Sequence, residues 1–134
     1  MNGFNIDLEK ETLTNDDFRR VLYTGRNSQL VLMSLKPREE IGLEVHDDID
    51  QFFRFEDGQG KVIIDGREIE VADGSGVVVP AGAEHNVINT SEASLLKLYT
   101  VYSPPEHKNS TVHKTKEEAE ADTDHHFDGE VSEG

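Results

Sequence analysis

The chain has 134 residues, a net charge of −15 and no cysteine, and 34% of its residues are hydrophobic. This size fits a single domain, and the absence of cysteine excludes disulfides, iron–sulfur clusters and thiolate zinc sites. The strong negative charge disfavours nucleic acid and anionic membranes as partners, because both bind basic surfaces. It fits a solvated acidic surface, or a host with a salty cytoplasm.

The N-terminal part of the chain shows only weak signals for secondary structure. Residues 1–13 are polar and acidic and lack the apolar stretch of a secretory signal. No apolar run reaches the roughly 18 residues needed to span a bilayer. The sequence therefore predicts a cytoplasmic protein. A short helical turn is expected at residues 14–18, where Thr14 is placed to begin it.

Strand signals dominate the rest of the chain. β-Branched and aromatic segments recur between turn residues, which is the pattern of an all-β sandwich or barrel. The strongest local signal is Asp65-Gly66 between two apolar runs, since a type I′ hairpin turn needs positive φ at both central residues. Nine or ten strands are predicted, including the segments 20–24, 28–35, 43–46, 51–55, 61–64, 67–71, 76–79, 85–89 and 95–102.

The C-terminal part of the chain predicts a short helix and a polar tail instead of strands. Thr115 and Glu118 form a capping-box pattern that opens a short helix to about residue 122. Residues 123–134 are polar and acidic, so we expect a disordered tail that is dispensable for folding, with His125-His126 solvated. The predicted organisation is an N-terminal extension with the first strand (1–27), a barrel (28–103), an extended segment with the helix (104–122) and the tail (123–134).

One spaced motif carries most of the functional information: Gly74-x5-Pro80-x-Gly82-x2-His85-x3-Asn89. Pro80 ends a strand, Gly82 permits a sharp reversal, and His85 begins the next strand, where alternation can aim its side chain inward. The pattern resembles the second sequence motif of the cupin superfamily position for position. The resemblance implies an all-β double-stranded β-helix, the jelly-roll barrel of cupins, with short helical segments at the termini.

A second stretch resembles the first cupin motif. Residues 51–58 are similar to the anchor of that motif, with Gln51 where the family usually has glutamate. Counting back places His46 at the second histidine position and Glu44 at the first. The two motifs together extend the resemblance over residues 28–102. The tail segment 103–107 also resembles small cupins described as mannose-6-phosphate-isomerase-like.

The resemblance implies one divalent metal ion held by Glu44, His46, Gln51 and His85, in place of the usual three histidines and one glutamate. Residues i and i+2 of a strand face the same side, so Glu44 and His46 can both point into the barrel. Two imidazoles, one carboxylate and one amide suit manganese, iron, nickel, cobalt or zinc. Some small cupins of uronate breakdown also carry glutamine at this position.

Two alternatives remain open for this site. In another register His46 pairs with Asp48, and the glutamate position falls on Phe52, which has no donor atom for a metal. Glu44 is therefore the favoured partner of His46. The other alternative is a degenerate cupin whose histidines are structural and whose barrel is empty. Tyr102 and His107 near the barrel end are candidates for the mouth of a pocket, as is Tyr99, or for ordinary packing.

The favoured hypothesis is a metal-dependent enzyme with isomerase or lyase chemistry on a small sugar or sugar acid, in which Glu44 is the catalytic group that moves a proton. The alternatives are an Fe(II) oxygenase, although the sequence indicates no interior arginine for a 2-oxoacid, and a binding cupin without turnover. A homodimer is expected, because association covers exposed sheet faces and edges. Phe52 and either Leu30 or Leu32 are predicted to lie on the covered face.

Overall fold

The computed structural model describes residues 1–134 as two antiparallel sheets with a short helix near each end of the chain. The elements in chain order are α1 (Leu8–Thr14), β1 (Arg19–Thr24), β2 (Gln29–Leu35), β3 (Glu44–Val45), β4 (Asp50–Asp57), β5 (Gln59–Ile64), β6 (Arg67–Ala72), β7 (Gly76–Val79), β8 (Glu84–Asn89), β9 (Leu96–Ser103), β10 (Val112–His113) and α2 (Lys116–Ala121). Neither helix is long and apolar enough to cross a bilayer.

The strand order confirms the predicted all-β class. One sheet has six strands in the order β10-β1-β2-β9-β4-β7, and the other has four in the order β3-β8-β5-β6. All nine predicted strand segments are present, with ends that shift by a few residues. The pairing of β10 with β1 was not assigned from the sequence, because two residues carry no periodicity that can be recognised.

The core lies between the sheets and follows the alternation of strand side chains. Phe53 and Phe55 point inward from β4, and Leu96 and Leu98 point inward from β9; all four are buried. Complete burial of one such side chain stabilises the fold by about 1.5–3 kcal/mol. Polar residues take over the same inward positions toward one end of the barrel, where Gln51 precedes Phe53 on β4. The interior of the barrel is therefore apolar along most of its length and polar at that end.

The hairpin predicted at Asp65-Gly66 is confirmed. These two residues have φ of 47° and 80° and join β5 to β6, with Ile64 opposite Arg67. Positive φ at both central positions is the geometry of a type I′ turn, whose twist matches that of the flanking strands.

The N-terminal helix lies earlier than predicted. The side chain of Asp7, not Thr14, caps it by accepting a hydrogen bond from the backbone N–H of Lys10 at 3.3 Å. Glu9 and Glu11 in the first turn add a favourable interaction with the helix dipole. Thr14 instead ends the helix and donates its hydroxyl to the carbonyl of Lys10. The prediction at residues 14–18 was wrong because it overlooked this upstream cap.

One residue of the predicted dimer face is covered within the single chain, on the side of the sheet where helix α1 packs. Helix α1 packs against β2, β4 and β9. Leu32 of β2 is completely buried yet lies outside the core cluster, as expected for a side chain on the outer face beneath α1. Leu30 and Phe52 keep partial exposure. Leu32 is therefore already covered within a single chain, and only Leu30 and Phe52 fit the expectation.

The C-terminal segment differs most from the prediction. Helix α2 is present, with Thr115 as its N-cap accepting from the backbone N–H of Glu118 at 3.1 Å. Beyond it, the chain is held against the barrel by backbone hydrogen bonds, from Lys108 to His125 at 2.7 Å and from Phe127 to Glu106 at 2.8 Å. Polar hydrogen bonds of this kind leave no signature in composition, which explains why a solvated tail was predicted.

The last residues return to the start of the chain. The backbone N–H of Ser132 donates to the carbonyl of Thr24 at 2.8 Å. Glu133 accepts from the hydroxyl of Tyr23 at 2.6 Å, and from the backbone N–H of Asn2 at 2.7 Å. We call residues 124–133 the C-terminal strap, because they cross one end of the barrel and are anchored on both sides.

Candidate metal centre

Three of the four predicted metal-site residues converge at one end of the barrel. Glu44 on β3 lies directly opposite His85 on β8 in the antiparallel register, and His46 follows β3 on the same side. One donor atom from each of these side chains lies within 4.8 Å of the others. That separation allows the three donors to reach a single ion, in the two-histidine, one-carboxylate pattern predicted from the sequence.

Gln51 approaches the same region from the facing sheet. It is buried on β4 and lies opposite Tyr102 of β9, while Glu44 and His85 lie on the other sheet. Its amide nitrogen donates to the hydroxyl of Thr100 at 3.0 Å, but its amide oxygen is buried without a partner. An unsatisfied buried acceptor costs about 1–3 kcal/mol. This oxygen is therefore available to a ligand, and its role as a weak fourth ligand stays a prediction.

Each histidine of the site has a second partner that orients its ring. Nδ1 of His85 lies 3.2 Å from the carbonyl oxygen of Ala83. Nδ1 of His46 lies 3.4 Å from Oε2 of Glu106. Both acceptors favour a proton on Nδ1 and leave Nε2 with a lone pair, which is the arrangement that histidine ligands use.

The contact between His46 and Glu44 is close but is not a hydrogen bond. Nε2 of His46 lies 2.9 Å from Oε2 of Glu44, yet this nitrogen has no partner at hydrogen-bonding angles. Two electron-rich atoms this close repel each other unless a proton or a cation lies between them. The geometry therefore fits either a protonated His46 paired with Glu44 or two donors that share one cation.

The electrostatics of the site reflect this crowding. Burial opposes ionisation of Glu44, but His46, Arg19 and His85 outweigh it and lower the pKa of Glu44. Burial also disfavours a charged His46, yet the carboxylates of Glu44 and Glu106 raise the pKa of that imidazole. Burial lowers the pKa of His85. Glu44 is thus a carboxylate at neutral pH and His85 is neutral, as metal binding requires, whereas the raised pKa of His46 means that an ion must displace a proton from that imidazole.

The alternative register is not favoured by the geometry. Asp48 is exposed in the loop after His46 and is outside the converging group. Phe52 faces the other side of β4 and packs against Tyr99 with ring centroids 6.5 Å apart. Tyr99 is therefore part of that outer surface and does not line a pocket mouth.

Tyr102 and His107 do lie at the site, beneath the strap. The Tyr102 hydroxyl is 3.2 Å from Nε2 of His107, and Nδ1 of His107 is 3.0 Å from Nδ1 of His125. His125 was interpreted as part of a solvated tail, but it stacks on His107. A run of two histidines in an otherwise acidic segment was the only sequence signal for this contact.

A cavity of about 470 Å³ opens beside two of the four candidate donors. Glu44 and His46 line it from the barrel, and Glu106 and His125 line it from the C-terminal part. Arg19 of β1 also lines it. No sequence pattern indicates that Arg19 lies in the interior, because it stands in an Arg-Arg pair with no motif around it.

The buried His107 predicts an acid-sensitive fold. Burial, with the charges of Arg19 and neighbouring histidines, lowers the pKa of His107 well below its ordinary value of 6.5. The unfolded chain therefore binds a proton that the folded chain does not, and stability is complete above pH 6.5 and lost as the pH falls. We expect His107→Gln to remove up to about 1.4 kcal/mol per pH unit from the slope of unfolding free energy against pH.

Urea unfolding at several pH values between about 7.5 and 5.5 measures this slope. His126→Gln, which alters an imidazole whose side chain is 71% exposed, is the matched control. An identical slope for wild type and His107→Gln would contradict the assignment.

Comparison with known proteins gives matches over most of the chain. The family model described as "Cupin domain" matches residues 31–102, more than half of the chain. The chain is 45% identical over 128 residues to the protein YrkC of Bacillus subtilis, covering 90% of this chain and 68% of YrkC. It is 43% identical over 106 residues to the protein L612 of Acanthamoeba polyphaga mimivirus, covering 76% of this chain and 66% of L612. The chain thus spans about two thirds of the length of these curated relatives.

A solved structure is also similar over nearly the whole chain. The crystal structure of BH2720 from Bacillus halodurans has a TM-score of 0.86 and 44% sequence identity, covering 90% of this chain and 96% of that one. The family match spans both motifs that carry the candidate donors, and the sheets have the expected antiparallel architecture. The chain therefore belongs to the cupin domain family.

Proposed function

We propose that this cupin binds one divalent ion through Glu44, His46 and His85, with Gln51 as a weaker fourth ligand, and is an isomerase or lyase for a small sugar-acid-like substrate. The observation that carries the proposal is the convergence of three donor atoms within 4.8 Å, and the unpartnered amide oxygen of Gln51 on the facing sheet supports it. Manganese, iron, nickel, cobalt and zinc all accept this mixture of imidazole, carboxylate and amide donors.

When bound, the ion supplies Lewis-acid polarisation of a carbonyl or hydroxyl oxygen. The residues of the chain supply the rest. Glu44 is ionised at neutral pH and half-buried, so an oxygen that is not engaged with His46 can accept and return a proton. Removal of a proton from the carbon next to a carbonyl group is common to both reactions: in an isomerisation the proton returns to a neighbouring atom, and in an elimination a leaving group departs. A carboxylate base at the site supports this reaction class.

The cavity supports a small polar substrate. Its volume of about 470 Å³ suits a molecule of sugar size. Its walls are mainly carboxylates, imidazoles and one guanidinium, with few apolar side chains. Such a lining favours hydroxylated and charged molecules over apolar ones, since each buried polar group needs a partner.

Metal analysis and turnover assays test the proposal. Protein purified without a histidine tag should contain one of the five metals, and removal by a chelator should abolish turnover of a uronate, ketose or keto acid. Turnover that survives complete removal of metal would contradict the enzyme proposal. A protein that takes up none of the five ions would contradict the metal centre itself.

An Fe(II) oxygenase is the second candidate. Two histidines and one carboxylate form the facial set of non-haem iron oxygenases, and Arg19 beside them is an interior cation that an oxoacid cosubstrate needs. Loading the protein with Fe(II) without oxygen and then measuring oxygen uptake on thiols, diketones and 2-oxoacids separates it from the first candidate. Uptake only in the presence of such substrates would favour the oxygenase.

Gln51→Glu should tighten metal binding. The substitution keeps the size of the side chain, and its carboxylate replaces the unpartnered amide oxygen with a charged one. We expect the dissociation constant for Mn(II) or Zn(II) to fall at least about tenfold, or 1.4 kcal/mol, as measured by competition with a chromophoric chelator. Gln59→Glu adds the same charge at an exposed position and is the control. Equal affinities for Gln51→Glu and Gln59→Glu would show that Gln51 does not face the ion.

We also propose a homodimer formed through the outer face of the six-stranded sheet. The registers place Leu30 beside Val101, Val101 beside Phe52, and Phe52 beside Val78, which gives one apolar row across three strand boundaries. Val78 is 64% exposed in the single chain. Sedimentation equilibrium should give about twice the 15.0 kDa chain mass; a monomer at high concentration would refute the dimer.

A further inference from the structure

Arg19 is a buried cation without a counter-ion. It is 5% exposed and begins β1, where the inward alternation of Arg19 and Val21 aims its side chain into the barrel. None of the ion pairs in the structure involves it. Buried charges are normally paired, because an unpaired one loses its hydration without compensation. The position of Arg19 therefore needs an explanation.

The neighbours of Arg19 hold it in place without neutralising it. Its Nη1 donates to Nδ1 of His113 at 3.2 Å, and its guanidinium lies 5.3 Å from the ring centre of Phe18. Because arginine only donates, His113 accepts on Nδ1 and directs its Nε2–H to Oδ2 of Asp122 at 2.9 Å. These two hydrogen bonds in series fix the orientation of the guanidinium. Its Nε remains shielded from solvent and has no partner.

We propose that Arg19 binds the carboxylate of a monoanionic substrate in the cavity beside Glu44 and His46. The inference rests on the proposed function and narrows its substrate class to small organic acids, such as uronic or hydroxy acids, over neutral sugars. A guanidinium matches a carboxylate because two N–H groups can donate to its two oxygens.

The charges around the cavity disfavour ligands that carry more than one negative charge. At neutral pH a divalent ion and Arg19 contribute three positive formal charges, and the four carboxylates of the lining, Glu44, Asp47, Asp48 and Glu106, contribute four negative ones, which leaves about −1. Burial lowers the pKa of both His107 and His125, so these imidazoles add no charge. A monocarboxylate adds one negative charge that Arg19 can pair, whereas a phosphate monoester, with about −1.5 to −2 charges, meets more repulsion from the four carboxylates.

Direct binding measurements on the metal-loaded full chain test the proposal. Isothermal titration compares D-galacturonate with D-galactose and glycolate with glycolamide, since each pair differs in the carboxylate. Inorganic phosphate is the third probe. We expect each acid to bind at least about tenfold more tightly than its neutral partner, as for other charge-assisted contacts, and more tightly than phosphate. Equal binding within both pairs, no binding of any acid, or tighter binding of phosphate would overturn the proposal.

Variants separate Arg19 from the ion as the source of the preference. Arg19→Gln should abolish the preference for acids while the metal content, measured by elemental analysis, stays unchanged. Arg19→Lys keeps the charge but loses the fork of donors, so it should retain only part of the preference. Arg20→Gln removes the adjacent arginine, which is more exposed, and should leave the preference intact. A preference that survives Arg19→Gln would assign it to the ion alone and overturn the proposal.

The remaining outcomes are also decisive. If Arg19→Gln does not fold, full retention of the preference in Arg19→Lys counts against a forked carboxylate contact, and a reduced preference supports it. If the wild-type protein takes up no metal, the proposed function fails by that measurement alone. The same titrations on the metal-free protein then decide whether Arg19 binds acids: an acid preference lost in Arg19→Gln supports the inference, and its absence in wild type overturns it.

Discussion

His85→Ala should remove most of the bound metal from the protein. His85 is the donor on β8, a six-residue strand paired on both sides, and its Nδ1 is held by the carbonyl of Ala83. Alanine has no donor atom, and no neighbouring side chain replaces the lost imidazole. We expect the affinity for Zn(II) or Mn(II) to fall by at least about a hundredfold. This exceeds the loss of affinity that follows when a residue hydrogen-bonded to a metal ligand is replaced. Elemental analysis after dialysis measures it.

His46→Ala should also remove most of the bound metal, and Glu44→Ala should lower the metal content as well. Asp48→Ala is the matched control, because this carboxylate lies in the same loop but is exposed and outside the converging group. If Asp48→Ala empties the site while Glu44→Ala retains the ion, the site must be reassigned around His46 and Asp48. Circular dichroism of each variant verifies that the fold persists.

Removing residues 124–134 should destabilise the protein and open the cavity. The deletion breaks the backbone hydrogen bonds of His125, Phe127 and Ser132, and the contact from Tyr23 to Glu133. Each such bond contributes about 1 kcal/mol, partly offset by the freedom that the strap regains. A net loss of about 2 kcal/mol lowers the melting temperature by about 5–10 °C for a domain of this size.

The deletion of Gly134 alone is the control, since this residue lies beyond the strap contacts. Tyr23→Phe, which removes only the hydroxyl bonded to Glu133, should give a smaller decrease in melting temperature. An unchanged melting temperature for the 124–134 deletion would show that these residues are solvated, as their composition indicated. The deletion should also raise the rate at which a chelator removes metal, because His125 and His126 line the cavity.

Local patterns made part of the site predictable. His85 could be placed because Pro80 and Gly82 fix the turn before it, and Glu44 could be placed with His46 because alternate residues of a strand share a face. The Asp65-Gly66 hairpin was predictable for the same reason: two adjacent residues determine the turn.

Arg19 and the strap were not predictable in this way. Arg19 reaches the cavity because β1 pairs with β10, which brings His113 opposite it from the other end of the chain. His125 reaches it because the backbone of Lys108 holds that residue. Contacts between distant segments, made by short strands and single hydrogen bonds, have no period in the sequence. The candidate metal donors are therefore predictable from local sequence patterns. The side of the cavity formed by Arg19 and the strap depends on contacts between distant segments of the chain.

The short strand β3 has a consequence for the choice of ion. Glu44 and Val45 are its only residues, and it lies at the edge of its sheet, whereas β4, which carries Gln51, and β8, which carries His85, are longer and have partners on both sides. Edge segments with few backbone bonds shift more readily than central strands. The proposed site thus has one rigid half and one adjustable half, so small differences in ionic radius are absorbed by movement of β3. We therefore expect the choice of ion at the proposed site to follow from donor chemistry and metal supply, with little contribution from the width of the barrel.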